Sequence, residues 1–181
     1  MAFILQGDTP VDNANAYIDP TALRDYWLDR GIDLTARTDA DLQVAIVKAT
    51  AYLDVRFRYI GIRVDRTQDR EWPRQFVVTD RGDYVSGMPN AVKFATAEYA
   101  YRALSADLLA DPTRDSTDRV IKSTSTSVGP IKEETAYDTS LGILMPDYPA
   151  GDRYLIARGL VVGGETAFGS SGMMFGDIGR G

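Results

Sequence analysis

The stretch EWPRQF, residues 71–76, places a tryptophan between a glutamate and a proline in the middle of a charged segment. That segment, residues 54–81, contains seven arginines and five acidic residues, a composition typical of a solvated loop. A tryptophan is costly to leave in water, so Trp72 is expected to pack against something. Because the segment connects two strongly helical patterns, the surface that receives Trp72 decides how the chain folds.

Trp72, Pro73 and Arg74 are candidate anchors, either of the protein core or of a contact between subunits. As a core anchor, Trp72 folds the loop back onto the flanking helices. As an interface anchor, Trp72 and Arg74 fit because both residue types are enriched at protein contacts. Stacking of Trp72 on a DNA base is a third, weaker interpretation.

The arginines of the same segment are open to three interpretations. They form a solvated and partly self-paired surface, or salt bridges between identical subunits, or contacts with DNA phosphates. The candidate subunit-interface arginines are Arg56, Arg58, Arg63, Arg66 and Arg70.

A helix is predicted upstream of this segment, over residues 20–30. Asp19 followed by Pro20 is a strong helix start, because the carboxylate caps free amides and the proline ring fits the first turn. Gly31 ends the pattern. The inward side chains are expected to be Leu23, Tyr26 and Trp27.

A second helix is predicted over residues 39–58, because apolar residues recur along it at helical spacing. The stripe consists of Leu42, Ile46, Ala49 and Leu53. Further apolar side chains widen it and predict burial on more than one side, namely Val44, Val47 and Ala51.

A third helix is predicted from Pro89 to about residue 109, with Glu98 and Arg102 as a surface ion pair. Residues 59–88, between the second and third helices, show no sustained period, and no regular structure is predicted there. Long loops of this kind tend to be functional or to form interfaces.

A β-hairpin is predicted over about residues 119–137, where Ser- and Thr-rich sequence is broken by Gly129 and Pro130. It either closes the fold or protrudes to contact a neighbouring copy or another chain. Downstream, Asp152 can cap a short fourth helix over residues 153–158.

Residues 159–181 contain eight glycines in 23 positions, with apolar side chains spaced among them. Glycine at this density does not sustain a helix, whereas a disordered linker normally lacks such apolar residues. The predicted organisation is therefore a main domain, residues 1–158, and an arm, residues 159–181, that is unstructured in isolation or docks on a partner. The candidate docking residues are Leu160, Val161, Phe168, Met173, Met174, Phe175 and Ile178.

Composition excludes several classes of chemistry. The 181 residues include no cysteine and no histidine, which removes disulfides, thiolate nucleophiles and serine–histidine catalysis. The formal net charge of −6 argues against a protein that coats phosphate backbones. No apolar run is long enough for a membrane span, and no signal peptide is predicted.

The pattern of residues 45–104 is the most specific feature of the sequence. It combines the helix end ATAYLD at 49–54, an arginine-rich loop with Trp72–Pro73–Arg74, and a helix opened by Pro89. In this combination it resembles the head-to-tail connector, or adaptor, proteins of tailed bacteriophages, a group also described as DnaT-like single-stranded-DNA-binding proteins. NAYIDPTALRDYWLDRG at 15–31 and STSVGPI at 125–131 extend the resemblance to residues 15–137.

The resemblance implies a small helical-bundle protein that assembles as a ring, typically a dodecamer, beneath the portal in the neck of the virion. Such a ring extends the channel through which double-stranded DNA passes without sequence-specific contact. It also offers a platform to a tail or nozzle protein. The arm would dock on the portal, no cofactor or membrane is implied, and the chain would be in the host cytoplasm during assembly.

The expected fold is mainly α, with three long helices and a short fourth helix, a long inter-helix loop, one hairpin and a glycine-rich arm. The expected function is that of a non-enzymatic structural protein of the virion. The alternative is single-stranded DNA binding, against which the net acidity and the lack of a basic aromatic stripe count. A carboxylate-dependent hydrolase has no supporting motif.

Overall fold

The computed structural model describes residues 2–108, 121–127, 132–137 and 148–166. The chain divides into two compact units, Met1–Leu108 with Met145–Gly181, and Leu109–Leu144. The first unit contains the helices α1 (Pro20–Leu28), α2 (Asp39–Arg56), α3 (Asn90–Ala103) and α4 (Pro149–Ile156). Its strands are β1 (Phe57–Tyr59), β2 (Ile62–Arg63), β3 (Arg74–Gln75), β4 (Val77–Val78), β5 (Tyr84–Val85) and β8 (Val161–Thr166). The second unit contains β6 (Ile121–Ser127) and β7 (Lys132–Tyr137).

Helix α1 begins where the sequence predicts. The side chain of Asp19 accepts a hydrogen bond of 2.9 Å from the amide of Ala22, and Pro20 occupies the first turn. The predicted inward side chains Leu23, Tyr26 and Trp27 are buried, as expected. The helix ends at Leu28, two residues before its predicted end.

Helix α2 packs against α3 and buries the predicted stripe of Leu42, Ile46, Ala49 and Leu53. Of the side chains predicted to widen that stripe, Val44 and Ala51 are exposed and Val47 is partly buried. Tyr52 and Arg56 are buried instead, so this helix turns a polar side chain into the core. Among the described residues, no helix is long and apolar enough to cross a membrane.

Helices α3 and α4 approach each other closely. A Cβ atom added to Gly151 of α4 would lie 2.7 Å from the Tyr99 ring, so this glycine permits the contact. Helix α4 begins at Pro149, earlier than predicted, and Asp152 lies in its first turn rather than at its cap. Glu98 of α3 was predicted on the surface, but it is buried and accepts a hydrogen bond of 2.8 Å from the Tyr26 hydroxyl.

The predicted fold class, a mainly α bundle, is wrong, because the protein is mixed α/β. Phe57 and Arg58, predicted as the end of the second helix, form β1 together with Tyr59. This strand pairs antiparallel with β8 and sets Tyr59 opposite Val161. The predicted irregular loop contains two further antiparallel pairs, β2 with β3 and β4 with β5. Pairing supplies partners to backbone groups that a folded-back loop would otherwise bury unsatisfied.

The described residues of the second unit form an antiparallel pair of strands, which agrees with the predicted hairpin. Strands β6 and β7 run antiparallel, from Ile121 opposite Tyr137 to Ser127 opposite Lys132. The predicted turn residues, Gly129 and Pro130, lie outside the described residues.

Candidate functional site

Trp72 lies inside the core of its own subunit. Its side chain is 0% exposed and meets the Tyr59 ring edge-on, with ring centroids 5.6 Å apart. The backbone amide of Trp72 donates to the Tyr17 hydroxyl over 3.2 Å, and the Trp72–Pro73 peptide bond is cis. The 71–76 segment is therefore held against β1 and the N-terminal segment.

A largely buried carboxylate is linked to this anchor through the Tyr17 hydroxyl. Asp54, near the end of α2, accepts a hydrogen bond from the Tyr17 hydroxyl and lies 3.3 Å from the Arg70 guanidinium. Burial raises the pKa of Asp54 to about 7, although its contacts with Tyr17 and Arg70 act in the opposite direction. Glu71 raises this pKa further by charge repulsion. Asp54 thus joins α2, the N-terminal segment and the loop at one point.

Arg74 fastens the loop to the turn between β1 and β2. Its Nε donates to the Ile60 carbonyl over 2.8 Å, and its Nη2 donates to the carbonyls of Tyr59 and Gly61 over 3.3 and 2.8 Å. Its Nη1 contacts Glu71 at 2.5 Å. Each guanidinium nitrogen is used within the subunit, and Arg74 is buried.

Arg56, a predicted interface arginine, is an internal residue. It is 1% exposed, and its Nη2 lies 2.8 Å from Asp152 of α4. Asp152 also accepts a hydrogen bond from the Tyr99 hydroxyl. Burial, followed by this hydrogen bond, raises the pKa of Tyr99 above its ordinary range. Because the pair is enclosed between α2, α3 and α4, Arg56 is not placed to contact another subunit.

The other candidate arginines of the loop occupy different environments. Arg70 pairs with Asp54, and Arg63 donates to the Gln68 carbonyl over 3.3 Å. Arg58 and Arg66 are exposed. Of the five predicted interface arginines, only these two reach solvent freely.

An apolar surface that the sequence analysis missed lies on the β4–β5 hairpin. Val78 is opposite Tyr84, and both point away from the core, whereas Val77 is buried. Phe76, just before β4, is 75% exposed, and Tyr84 is 87% exposed. We call these three residues, Phe76, Val78 and Tyr84, the outer face. Phe76, Val77 and Val78 form a continuous apolar run, so the sequence carries no alternation that marks which of them are exposed.

A cleft lies beside the same hairpin. It has a volume of about 340 Å³ and is lined by β4–β5 residues together with α3 and α4. The rings of Phe94 and Tyr154 meet edge-on within it, with centroids 5.7 Å apart. We call it the aromatic–arginine cleft, after lining residues that include Phe94, Tyr154, Arg81, Arg158, Asn90 and Leu160.

The predicted docking arm is divided by the structure. Leu160 and Val161 are 1% and 6% exposed and pack in the core. Val161 begins β8, so this part of the arm belongs to the folded unit. The remaining candidates, Phe168, Met173, Met174, Phe175 and Ile178, lie outside the described residues.

The fold and site define a small α/β protein with an internally fastened loop, an exposed aromatic face and an adjoining cleft. In the part of the chain that is described, no three His, Cys, Asp or Glu side chains are grouped so as to hold a metal ion. The chain belongs to the family described as "Putative DnaT-like ssDNA binding protein", whose model matches residues 1–179. No curated protein and no solved structure matches it. The match confirms the DnaT-like resemblance, and the connector role remains a prediction.

Proposed function

We propose that this chain is a non-enzymatic assembly protein, the head-to-tail adaptor of a tailed bacteriophage. In this role it forms a ring beneath the portal, extends the DNA channel and receives a tail or nozzle protein. The resemblance of residues 45–104 to connector proteins supports the proposal that the particle is a tailed bacteriophage. One structural observation supports a protein partner over a nucleic acid. Arginines in and beside the 71–84 region are paired within the subunit, whereas two aromatic side chains of that region are exposed.

In and beside that region, two arginines are bound to carboxylates, whereas two aromatic rings are exposed. Arg70 and Arg74 are bound to Asp54 and Glu71 of the same subunit. Phe76 and Tyr84 are left exposed. A phosphate-binding surface needs free cations, whereas a protein contact needs aromatic area that can be desolvated. The arrangement therefore favours a protein partner.

Internal pairing of arginine extends beyond the loop. Arg24 pairs with Asp39 at 2.6 Å, and Arg102 pairs with Glu98 at 2.9 Å. Each such pair removes a cation from the set available to phosphates. With a net charge of −6, the surface repels DNA on average, which suits a channel through which a duplex must slide.

Two binding measurements test the proposal. Fluorescence anisotropy with a labelled single strand should show no micromolar affinity at low salt, where phosphate contacts are strongest. Co-sedimentation with the portal protein encoded by the same genome should retain the chain. Micromolar, salt-sensitive DNA binding together with no retention on the portal would overturn the adaptor role.

Single-stranded DNA binding is the second candidate, and two observations favour it. The family description names it directly. The aromatic–arginine cleft also combines rings on which bases could stack with two arginines, Arg81 and Arg158. Asp83 in the same lining and the net acidity count against it. If the strand binds, Arg158→Ala should weaken binding and reduce its salt dependence, whereas Arg66→Ala, outside the cleft, should matter less.

A further inference from the structure

The β4–β5 hairpin has two chemically different sides. Val85 lines the aromatic–arginine cleft together with Thr79, Arg81 and Asp83. On the other side, Val78 and Tyr84 form the outer face with Phe76. The hairpin therefore separates a cleft from a bare aromatic surface, and one subunit cannot place its own outer face in its own cleft.

The outer face is held in a fixed position. The hydrogen bonds of Arg74 fasten the residues immediately before it to the β1–β2 turn. Phe76 has a φ of 57°, a left-handed conformation that is uncommon and unfavourable for a bulky residue. A ring that is kept exposed in such a conformation gains nothing for its own core. Its role is thus expected to lie in a contact outside the subunit.

The cleft has the chemistry to receive these side chains. Phe94 and Tyr154 offer ring edges and faces for aromatic packing, and Arg158 can lie over an inserted ring. Asn90 and the arginines can donate hydrogen bonds to a tyrosine hydroxyl. A volume of about 340 Å³ is at the lower end of the range for ligand pockets, which suits a few side chains better than an extended strand.

We propose that the outer face of one copy seats in the aromatic–arginine cleft of the next copy, with the Phe76 ring packed against the Phe94–Tyr154 ring pair. This inference rests on the proposed ring function and identifies its repeating contact. The two surfaces are different, so the contact is heterologous. Contacts of this kind run head to tail and close into a ring when the rotation between neighbours allows it.

The contact needs a test that captures weak association, because a few side chains bury far less than the roughly 1,200–2,000 Å² of a stable interface. The chain contains no cysteine, so engineered thiols have no native competitor. Tyr84→Cys and Ala157→Cys place one thiol on the outer face and one in the cleft lining. Both positions are exposed, so folding should be retained, and circular dichroism checks this.

The two full-length variants are mixed at high concentration, alone and with the portal, and oxidised with diamide. Tyr84→Cys mixed with Ala157→Cys should give a several-fold excess of disulfide-linked heterodimer over Tyr84→Cys mixed with Val44→Cys. Val44, on α2, is a matched control because it is exposed and lies outside both surfaces. Phe76→Ser should reduce the cross-linked fraction, because it removes one ring of the outer face.

The outcomes separate this contact from the proposed function. Rings or portal complexes that form without the Tyr84–Ala157 cross-link would overturn the contact and leave the adaptor role standing. Equal cross-linking with Val44→Cys would also overturn it, since random collisions would then account for the dimer. A chain that stays monomeric under all conditions and yields no specific cross-link would overturn it too, while portal retention separately decides the function.

Discussion

Arg74 illustrates how single residues shape this protein. Its planar guanidinium reaches the carbonyls of three consecutive residues, Tyr59, Ile60 and Gly61, while Glu71 balances its charge. Lysine cannot reproduce this fork, because its ammonium is a single point on a flexible stem. Trp72 beside it fills the core. The pair explains how the 71–76 segment of an arginine-rich loop is fixed to the core.

Replacement of Arg74 by lysine should therefore destabilise the protein. The buried carbonyls lose donors, and hydrogen bonds to charged groups contribute about 1.5–3 kcal/mol, so we expect a loss of about 2 kcal/mol or more in the free energy of unfolding. Urea unfolding of Arg74→Lys measures it. Arg66→Lys, at an exposed position of the same loop, is the matched control and should change little. Equal midpoints for the two variants would show that the fork is dispensable.

Asp54 should make stability depend on pH. Its pKa is about 7 in the folded chain, against an ordinary value of 3.8. Between these values the unfolded carboxyl has lost its proton and the folded one keeps it, so the unfolded state binds fewer protons. Stability is therefore highest below this window and falls as pH rises, by at most about 1.4 kcal/mol per pH unit, until the fall ends near pH 7.

The Asp54→Asn variant isolates this effect, since an amide does not titrate. As the pH rises from about 4 to about 7, the unfolding free energy of the wild type should fall relative to that of the variant. Urea titrations across that range provide the measurement. A wild type that gains stability relative to the variant as pH rises would show that Tyr17 and Arg70 outweigh burial.

At the level of elements, the contribution of β8 was the least expected. This strand was predicted as the start of a detachable arm, yet it pairs with β1, about a hundred residues earlier in the chain, and is preceded by the buried Leu160. Removal of residues 159–181 would therefore damage the core. A test of portal docking by the arm should instead remove residues 167–181.

Leu160 provides a direct check of this packing. Leu160→Ala should lower the free energy of unfolding by about 2–5 kcal/mol, because it opens a cavity in the core. Val162→Ala, two residues on and exposed, should cost well under that. Thermal or urea unfolding of both variants decides the matter. A Leu160→Ala variant as stable as Val162→Ala would mean that this segment is not part of the folded unit.

The elements that sequence could predict are those with local signals. The start of α1 is marked by Asp19 and Pro20, and the stripe of α2 repeats at helical spacing. Strands β2 to β5 have two residues each, too few for a period, and their partners are set by tertiary contacts. Arg56 pairs with Asp152, a residue far away in the sequence, so no local sequence pattern indicates the pair. The burial of Arg56 is therefore known only from the structure.

At the level of the whole molecule, several arginines are paired within the subunit, whereas the aromatic rings of the outer face are exposed. The candidate contact surfaces were not predictable as surfaces, because exposure of Tyr84 depends on how β4 and β5 fold over the cleft. The resemblance to connectors predicts a protein partner. The outer face is the surface at which we expect such a partner to bind.

The most direct test of the proposed adaptor role is to image the neck of virions assembled in the presence of this chain and to count its copies there. We expect a closed ring of this chain directly beneath the portal, in which the Phe76 and Tyr84 side chains of each copy are covered by its neighbour. Particles that lack the chain, while the purified protein binds single-stranded DNA at physiological salt, would contradict it.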